Sequence, residues 1–270
     1  MGGRGGSSHQ SYRARFGGAQ TFLQRAYGQA HADKILDFLR NAPQYIQGMW
    51  TQYASSFKAG PLARGYDPDD AYYDPRDDKV HLNINYVAMG DSIHTPYSTI
   101  FHEYGHMTDY LMARSLGPAH RYDAYSDLYQ GKDASGNPIL SYSSDGGLLG
   151  RTAKKELESH IKRIHGKNRM TKVERSIAAH KLASEAMMKY STLDSSDISD
   201  MFEGAGIGFS HPMLSGHGLD YWRNRDNGKE IFAEITSAEA AHPGSLKAIK
   251  EYFPETYQVY QDMVKGRKKK

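Results

Sequence analysis

The stretch STIFHEYGHMTDYL, residues 98–111, places two histidines four positions apart with a glutamate directly after the first. On an α-helix, residues four apart point in nearly the same direction one turn apart, so His102 and His106 can bind one metal ion. Neutral imidazole nitrogens bind zinc at distances that fit this spacing. Glu103 lies about 100° round the helix and can accept a proton from water on the open side of the ion. The sequence therefore predicts a Zn²⁺ site with Glu103 as general base.

A strand and a helix start are predicted just before this stretch. In KVHLNINYVAM, residues 79–89, apolar and polar residues alternate, which is typical of a half-buried strand. Such a strand can bind an extended substrate at the edge of a sheet. Thr95 is a good N-cap and Pro96 suits the first helical position. The alternative is two polar residues that share an exposed helix face by accident, and this context favours the metal site.

A third protein ligand is expected, because a catalytic zinc uses three and leaves one position open. Glu230 and Glu234 lie four apart in KEIFAEI and so share a helix face. One of them would bind the ion, and the other would orient a histidine through a hydrogen bond. Asp109 follows His102 by seven positions and would lie two turns from it. We therefore predict that Asp109 orients a ligand and does not bind the ion.

The HEYGHMTD helix, a tyrosine at 221, the EIFAE segment and the C-terminal PETYQVYQDM together resemble a known family. They are similar to the catalytic domain of anthrax lethal factor and to the Pro-Pro endopeptidases, which are zinc metallopeptidases of the gluzincin type. The resemblance implies that Glu230 is the zinc ligand and Glu234 the acid that orients a histidine. It covers the strand, the active helix and about the last fifty residues.

The same resemblance implies a role for Tyr221, whose hydroxyl would stabilise the oxyanion of the tetrahedral intermediate. Tyr221 stands nine residues before Glu230, where the family has about seven. His217 would act instead or brace Tyr221, and the alternative for the tyrosine is a packed aromatic beside Trp222. About 124 residues separate His106 from Glu230, where the family has a few dozen.

The predicted fold class is α+β, a zincin-like metallopeptidase with a small mixed sheet over the HExxH helix and a mostly helical C-terminal part. We expect a flexible Gly/Arg-rich tail over 1–18, a catalytic domain over 19–265 and a basic tail over 266–270. A helical insertion over 118–200 would separate the two metal-bearing helices and shape the substrate cleft. Residues 59–78, rich in proline and aspartate, are predicted to form an irregular connection.

Composition narrows the function classes. The 270 residues contain no cysteine, so disulfides, thiol nucleophiles and thiolate metal sites are excluded. The net charge of +3 lies largely in the arginines and lysines near the two ends of the chain. Such terminal charges are usually solvated, so we do not expect a nucleic-acid partner. No run of 18 apolar residues and no signal-peptide core are present, so we expect neither a membrane span nor classical secretion.

The sequence thus predicts a zinc-dependent endopeptidase that acts on a peptide or protein substrate, in the cytoplasm or after delivery by a specialised route. One alternative is a phage or mobile-element structural protein that retains a zincin-like fold and binds a capsid or delivery-system partner. Another is a metalloprotease toxin effector, which shares the chemistry and differs in its context.

Overall fold

The computed structural model describes residues 7–91, 94–166, 170–190, 195–207 and 227–265. Its helices are α1 (Ser7–Tyr27), α2 (Gln29–Asn41), α3 (Gln44–Tyr53), α4 (Ile84–Met89), α5 (Ser98–Arg114), α6 (Tyr125–Leu128), α7 (Gly147–His165), α8 (Lys172–Tyr190), α9 (Ser195–Phe202), α10 (Asn227–Ala241), α11 (Pro243–Tyr252) and α12 (Pro254–Lys265). Its strands are β1 (Ala59–Gly60), β2 (Ala71–Asp74), β3 (Lys79–Leu82), β4 (Tyr129–Lys132) and β5 (Pro138–Leu140). The described part is therefore α+β and mainly helical.

The N-terminal helices α1 and α2 contact each other and are separated by Gly28, whose φ of 81° suits glycine. The structure differs here from the flexible tail predicted over 1–18, because α1 already begins at Ser7. Phe16 is 2% exposed and Leu23 is fully buried, and this apolar burial offsets the entropy lost on ordering the glycine-rich stretch. Residues 1–6 and the basic tail lie outside the described residues.

A small mixed sheet has the strand order β1, β3, β2, with β1 parallel and β2 antiparallel to β3. Val80 of β3 lies opposite Ala59 on one side and Tyr73 on the other. The stretch 59–78, predicted as an irregular connection, thus supplies both outer strands. The prediction that a substrate adds to the edge of β3 is wrong, because β3 is the central strand and both of its sides are paired.

The strand predicted over 79–89 is shorter in the structure. β3 ends at Leu82, and the side chain of Asn83 then accepts a hydrogen bond from the backbone N–H of Asn85 at 3.2 Å. This N-cap starts α4 and overrides the alternating pattern, because asparagine offers the backbone a local partner at a helix start. The sheet nevertheless lies against the predicted active helix, since both β2 and β3 contact α5.

The start of α5 also differs from the prediction of a Thr95 cap followed by Pro96. The N-cap position belongs to Tyr97, which adopts a left-handed conformation with φ 69°. The Tyr97 hydroxyl lies 2.9 Å from Nδ1 of His31, which holds the residue in place. Thr95 does not cap the helix because its hydroxyl hydrogen bonds to Nε2 of His242.

Helices α5 and α10 form the most extensive contact between described helices. A Cβ at Gly105 would lie 3.0 Å from Cα of Ala233 and 3.3 Å from Cβ of Thr236, so only glycine lets the two backbones approach this closely. Phe232 and Ile235 on α10 are fully buried beside this contact. The result is that two helices far apart in sequence present their polar faces to each other.

The segment 118–200 packs against this helix pair. It contains α6, the β4–β5 hairpin, α7, α8 and most of α9, so the insertion predicted as helical also contains a hairpin. α7 contacts α10 and α12, and α9 contacts α10 and α11. Within the part of the chain that the structure describes, no helix combines the length and the apolar character needed to cross a bilayer.

Candidate metal centre

Helix α5 directs both histidines of the HEYGH motif to the same point. Their Nε2 atoms lie 3.0 Å apart, and the two ring planes meet at 82°. The side chains of His102 and His106 are 14% and 12% exposed, respectively. Two acceptor nitrogens at this separation repel or compete for one proton unless a cation lies between them. The arrangement therefore suits a shared metal ion.

Glu230 on α10 completes this group. Its Oε1 lies 3.2 Å from Nε2 of His106 and its Oε2 lies 3.5 Å from Nε2 of His102. Its side chain is 1% exposed, so the carboxylate is buried and needs a positive partner. The three residues offer ligand atoms that all lie within 4.8 Å of one another, and they could hold a metal ion.

The donor set can be tested against the size of a candidate ion. Ligands that lie about 2.0 to 2.1 Å from a tetrahedral zinc are separated from each other by roughly 3.3 Å. The contacts of 3.0, 3.2 and 3.5 Å between His102, His106 and Glu230 bracket that value. Two imidazoles and one carboxylate also match a catalytic zinc site that keeps its fourth position open. The residues present fit the ion.

Glu234 lies one helical turn beyond Glu230 and contacts the second ring nitrogen of His102. Its Oε1 is 3.0 Å from Nδ1 of His102. Burial raises the pKa of Glu234 to about 8, although His102 acts in the opposite direction. Burial lowers the pKa of His102, but the carboxylates of Glu234 and Glu230 outweigh it and raise that pKa well above its ordinary value. The structure thus brings Glu230 to Nε2 and Glu234 to Nδ1 of the same imidazole.

Glu103 lies beside His102 on the wall of a cavity of about 320 Å³. Glu103 is 6% exposed, and the cavity also reaches Ala71 at the start of β2 and Ser98 at the start of α5. A carboxylate in this position faces the space that a substrate or a water molecule would occupy. Glu103, the predicted general base, thus lies next to the ligand group and lines the cavity.

Comparisons with known proteins add no family to this geometry. A scan against protein-family models, a search of curated proteins and a search of solved structures each returned no match for this chain. The resemblance to gluzincin peptidases stays a prediction that depends on the quoted motifs.

Asp109 has a different partner from the one predicted. Its Oδ1 accepts a hydrogen bond from the backbone N–H of Ser126 at 2.8 Å, and its Oδ2 accepts one from the Ser126 hydroxyl at 2.5 Å. No contact between Asp109 and a histidine of the ligand group is found among the described residues. Asp109 is fully buried and burial raises its pKa to about 7. It anchors α6 to α5 because α6 passes over its side chain, a contact that spacing alone does not predict.

Tyr221 and His217 both fall within residues 208–226, which lie outside the described residues. Their predicted roles at the oxyanion therefore have no structural account here. The described centre consists of the ligand group, Glu103 and Glu234.

Sequence reasoning missed three residues near the centre. Gly105 lies between Glu103 and His106 in the motif. A glycine inside a helix indicates that another backbone approaches closely, and the sequence did offer this signal. Asp197 on α9 and His242 after α10 are both buried and hydrogen bond to each other. No local pattern marks either of them, because an isolated aspartate after serines and a histidine before a proline are ordinary at helix ends.

Proposed function

We propose that this chain is a zinc-dependent endopeptidase in which His102, His106 and Glu230 hold the ion. The observation that carries the proposal is the position of Glu103, which lies beside this ligand group and on the wall of the cavity. A site that only stabilised the fold would need no acid facing an accessible space. The reaction assigned to the chain is hydrolysis of a peptide bond.

Zinc bound there would polarise the scissile carbonyl and lower the pKa of a nearby water. Glu103 accepts the proton of the attacking water and later donates it to the leaving amine. Glu234 accepts a hydrogen bond from Nδ1 of His102, which keeps the lone pair of Nε2 directed at the ion. By resemblance, Tyr221 donates a hydrogen bond to the developing oxyanion.

The substrate would be an extended peptide that adds to the sheet at β2. β2 is an outer strand, and Ala71 at its start lines the same cavity as His102 and Glu103. Backbone hydrogen bonds along β2 would give affinity that depends little on side-chain sequence. This assignment replaces the central strand β3, which has no open side.

The test compares Glu103→Gln with the wild-type chain, using Glu185→Gln as a matched control. Glu185 lies on α8 with 46% of its side chain exposed. We expect Glu103→Gln to retain stoichiometric zinc, measured by elemental analysis, and to lose cleavage of a peptide library by at least 100-fold, since general-base catalysis contributes about 10² to 10⁴. Glu185→Gln should cleave normally.

Retained hydrolysis in Glu103→Gln would exclude this mechanism. A chain that binds zinc, loses thermal stability on chelation and cleaves nothing would instead be a structural zinc protein. Elemental analysis also decides the metal, since histidine and carboxylate ligands accept other divalent ions.

A further inference from the structure

A chain of contacting side chains leads away from His102 and ends at Thr95. Oε1 of Glu234 contacts Nδ1 of His102, and the Glu234 carboxyl group also interacts with that of Asp197, beside which it lines the cavity. Asp197 in turn accepts a hydrogen bond from Nδ1 of His242, and Nε2 of His242 contacts the hydroxyl of Thr95. Each link joins a different element, so the chain connects α5, α10, α9 and the segment before α5.

Burial makes these contacts necessary. The side chains of Glu234, Asp197 and His242 are 2%, 5% and 0% exposed, so each has few alternatives to its protein partners. A buried carboxyl group without a partner costs several kcal/mol in an apolar medium. His242 lowers the pKa of Asp197 although burial acts to raise it, so Asp197 stays a strong hydrogen-bond acceptor. The position of Glu234 is thus fixed from both sides.

We propose that Asp197 and His242 are positioning residues of the metal centre, which hold Glu234 against His102 and so fix the orientation of the imidazole. The proposal rests on the metal site of the proposed function and extends it beyond the residues that touch the ion. It also gives the long segment before α10 a defined role, because α9 supplies Asp197. Partners of ligand histidines contribute substantially to metal affinity elsewhere, typically by 10-fold to 100-fold.

The test measures zinc affinity of the full chain by chelator competition, together with the visible absorption of the cobalt-substituted protein. Asp197→Ala breaks both contacts of the carboxylate and should weaken zinc binding by about 10-fold or more, with a shifted cobalt spectrum. Asp197→Asn keeps an acceptor for His242 and gains a donor for Glu234, so it should recover most of the affinity. His242→Gln should weaken binding less than Asp197→Ala, since Asp197 keeps its contact with Glu234.

A matched control separates positioning from general loss of stability. Glu156→Ala removes another buried carboxylate from the same segment, and its contacts lie at the start of α12. It should lower the melting temperature but leave the zinc affinity and the cobalt spectrum unchanged. If Asp197→Ala is not recovered folded, His242→Gln against the same control decides the question.

The outcomes distinguish the two proposals. If the wild-type chain binds neither zinc nor cobalt, the proposed function and the positioning role both fail. If the wild type binds zinc and the folded Asp197 and His242 variants bind it equally well, only the positioning role is overturned. Weaker binding in Asp197→Ala with recovery in Asp197→Asn supports it.

Discussion

The helix pair α5 and α10 and the segment 118–200 contribute to one centre in different ways. The helix pair supplies the residues that could hold a metal ion and the acid behind them, in two pairs with a spacing of four: His102 with His106, and Glu230 with Glu234. The segment supplies single residues that contact other elements. Asp197 interacts with Glu234 of the centre, whereas Ser126 hydrogen bonds to Asp109, which among the described residues does not contact the ligand histidines.

This difference separates two kinds of information in the chain. A pair on one helix face creates a site with a geometry that the helix itself fixes, so the pattern can be recognised without any other element. A single buried acid acquires its role only from the group opposite to it. Variants in each region test whether zinc binding and overall stability depend on different residues.

The largest effect is expected for a ligand on α10. Glu230→Gln should weaken zinc binding by more than about 100-fold, whereas Glu234→Gln, which perturbs the orientation of His102, should cost about 10-fold to 100-fold. Chelator competition measures both, and the isosteric change limits differences in packing. The reverse ranking would exchange the roles of the two glutamates.

A purely structural loss is expected from Glu156 on α7. Its carboxylate accepts hydrogen bonds from the backbone N–H groups of Glu255 and Thr256 at 2.7 and 2.9 Å and from the Thr256 hydroxyl at 2.6 Å. It therefore caps the start of α12 from another helix. Glu156→Ala should lower the free energy of unfolding by about 1.5 to 3 kcal/mol, the range for hydrogen bonds to a charged group.

Urea denaturation measures this change, with Glu158→Ala as the control. Glu158 lies on the same helix with 47% of its side chain exposed, and its loss should change stability by less than about 0.5 kcal/mol. Zinc affinity should stay constant in both variants. If Glu156→Ala weakened zinc binding as much as Glu230→Gln, the two regions would not be separable.

The contact between α5 and α10 is expected to be sensitive at Gly105. An added methyl group would meet the backbone of Ala233 at 3.0 Å and would push the helices apart. Overpacking of this kind costs about 1 to 3 kcal/mol, and the gain of about 0.5 to 1 kcal/mol from replacing a helical glycine offsets part of it. Gly105→Ala should therefore lower the free energy of unfolding by about 0.5 to 2 kcal/mol and also weaken zinc binding.

Gly48→Ala is the matched control for this change. Gly48 lies within α3, and its added Cβ would meet nothing within 4 Å. Because the added methyl group meets no neighbour, only the higher helix propensity of alanine changes. The free energy of unfolding should therefore rise by about 0.5 to 1 kcal/mol. Equal effects of both substitutions in thermal denaturation would contradict the close approach of the two helices.

The last prediction concerns pH and Asp109. Burial raises its folded-state pKa from 3.8 to about 7, so its favourable contribution is complete below pH 4 and is lost as the pH rises through 7. Asp109→Asn removes this titration. Relative to wild type, the variant should become steadily more stable between pH 4 and pH 8, because the wild type loses the contribution of protonated Asp109 over that interval.

Urea titrations at the two pH values measure that change, and Asp33→Asn on the exposed face of α2 corrects for general charge effects. A difference between Asp109→Asn and wild type that stays constant with pH would mean that Asp109 ionises normally in the fold.

The ligand spacing, the mostly helical C-terminal part and the mixed α and β character could be predicted from the sequence. The C-terminal helices were predictable because Pro254 and the apolar spacing mark a helix that needs no distant partner. The strand over 79–89 was predicted too long because Asn83 offers a local cap that an alternating pattern does not weigh. The cap at Thr95 failed because His242 competes for its hydroxyl.

The sequence by itself determined that His102, Glu103 and His106 share one turn of helix, because the helical period converts a spacing of four into a common direction. It also narrowed the remaining ligand to Glu230 or Glu234. Only the tertiary structure brought Glu230 to Nε2 and Glu234 to Nδ1 of His102. The reason is that the approach of α10 depends on the missing side chain at Gly105 and on the apolar packing of helices distant in sequence, which no local pattern encodes.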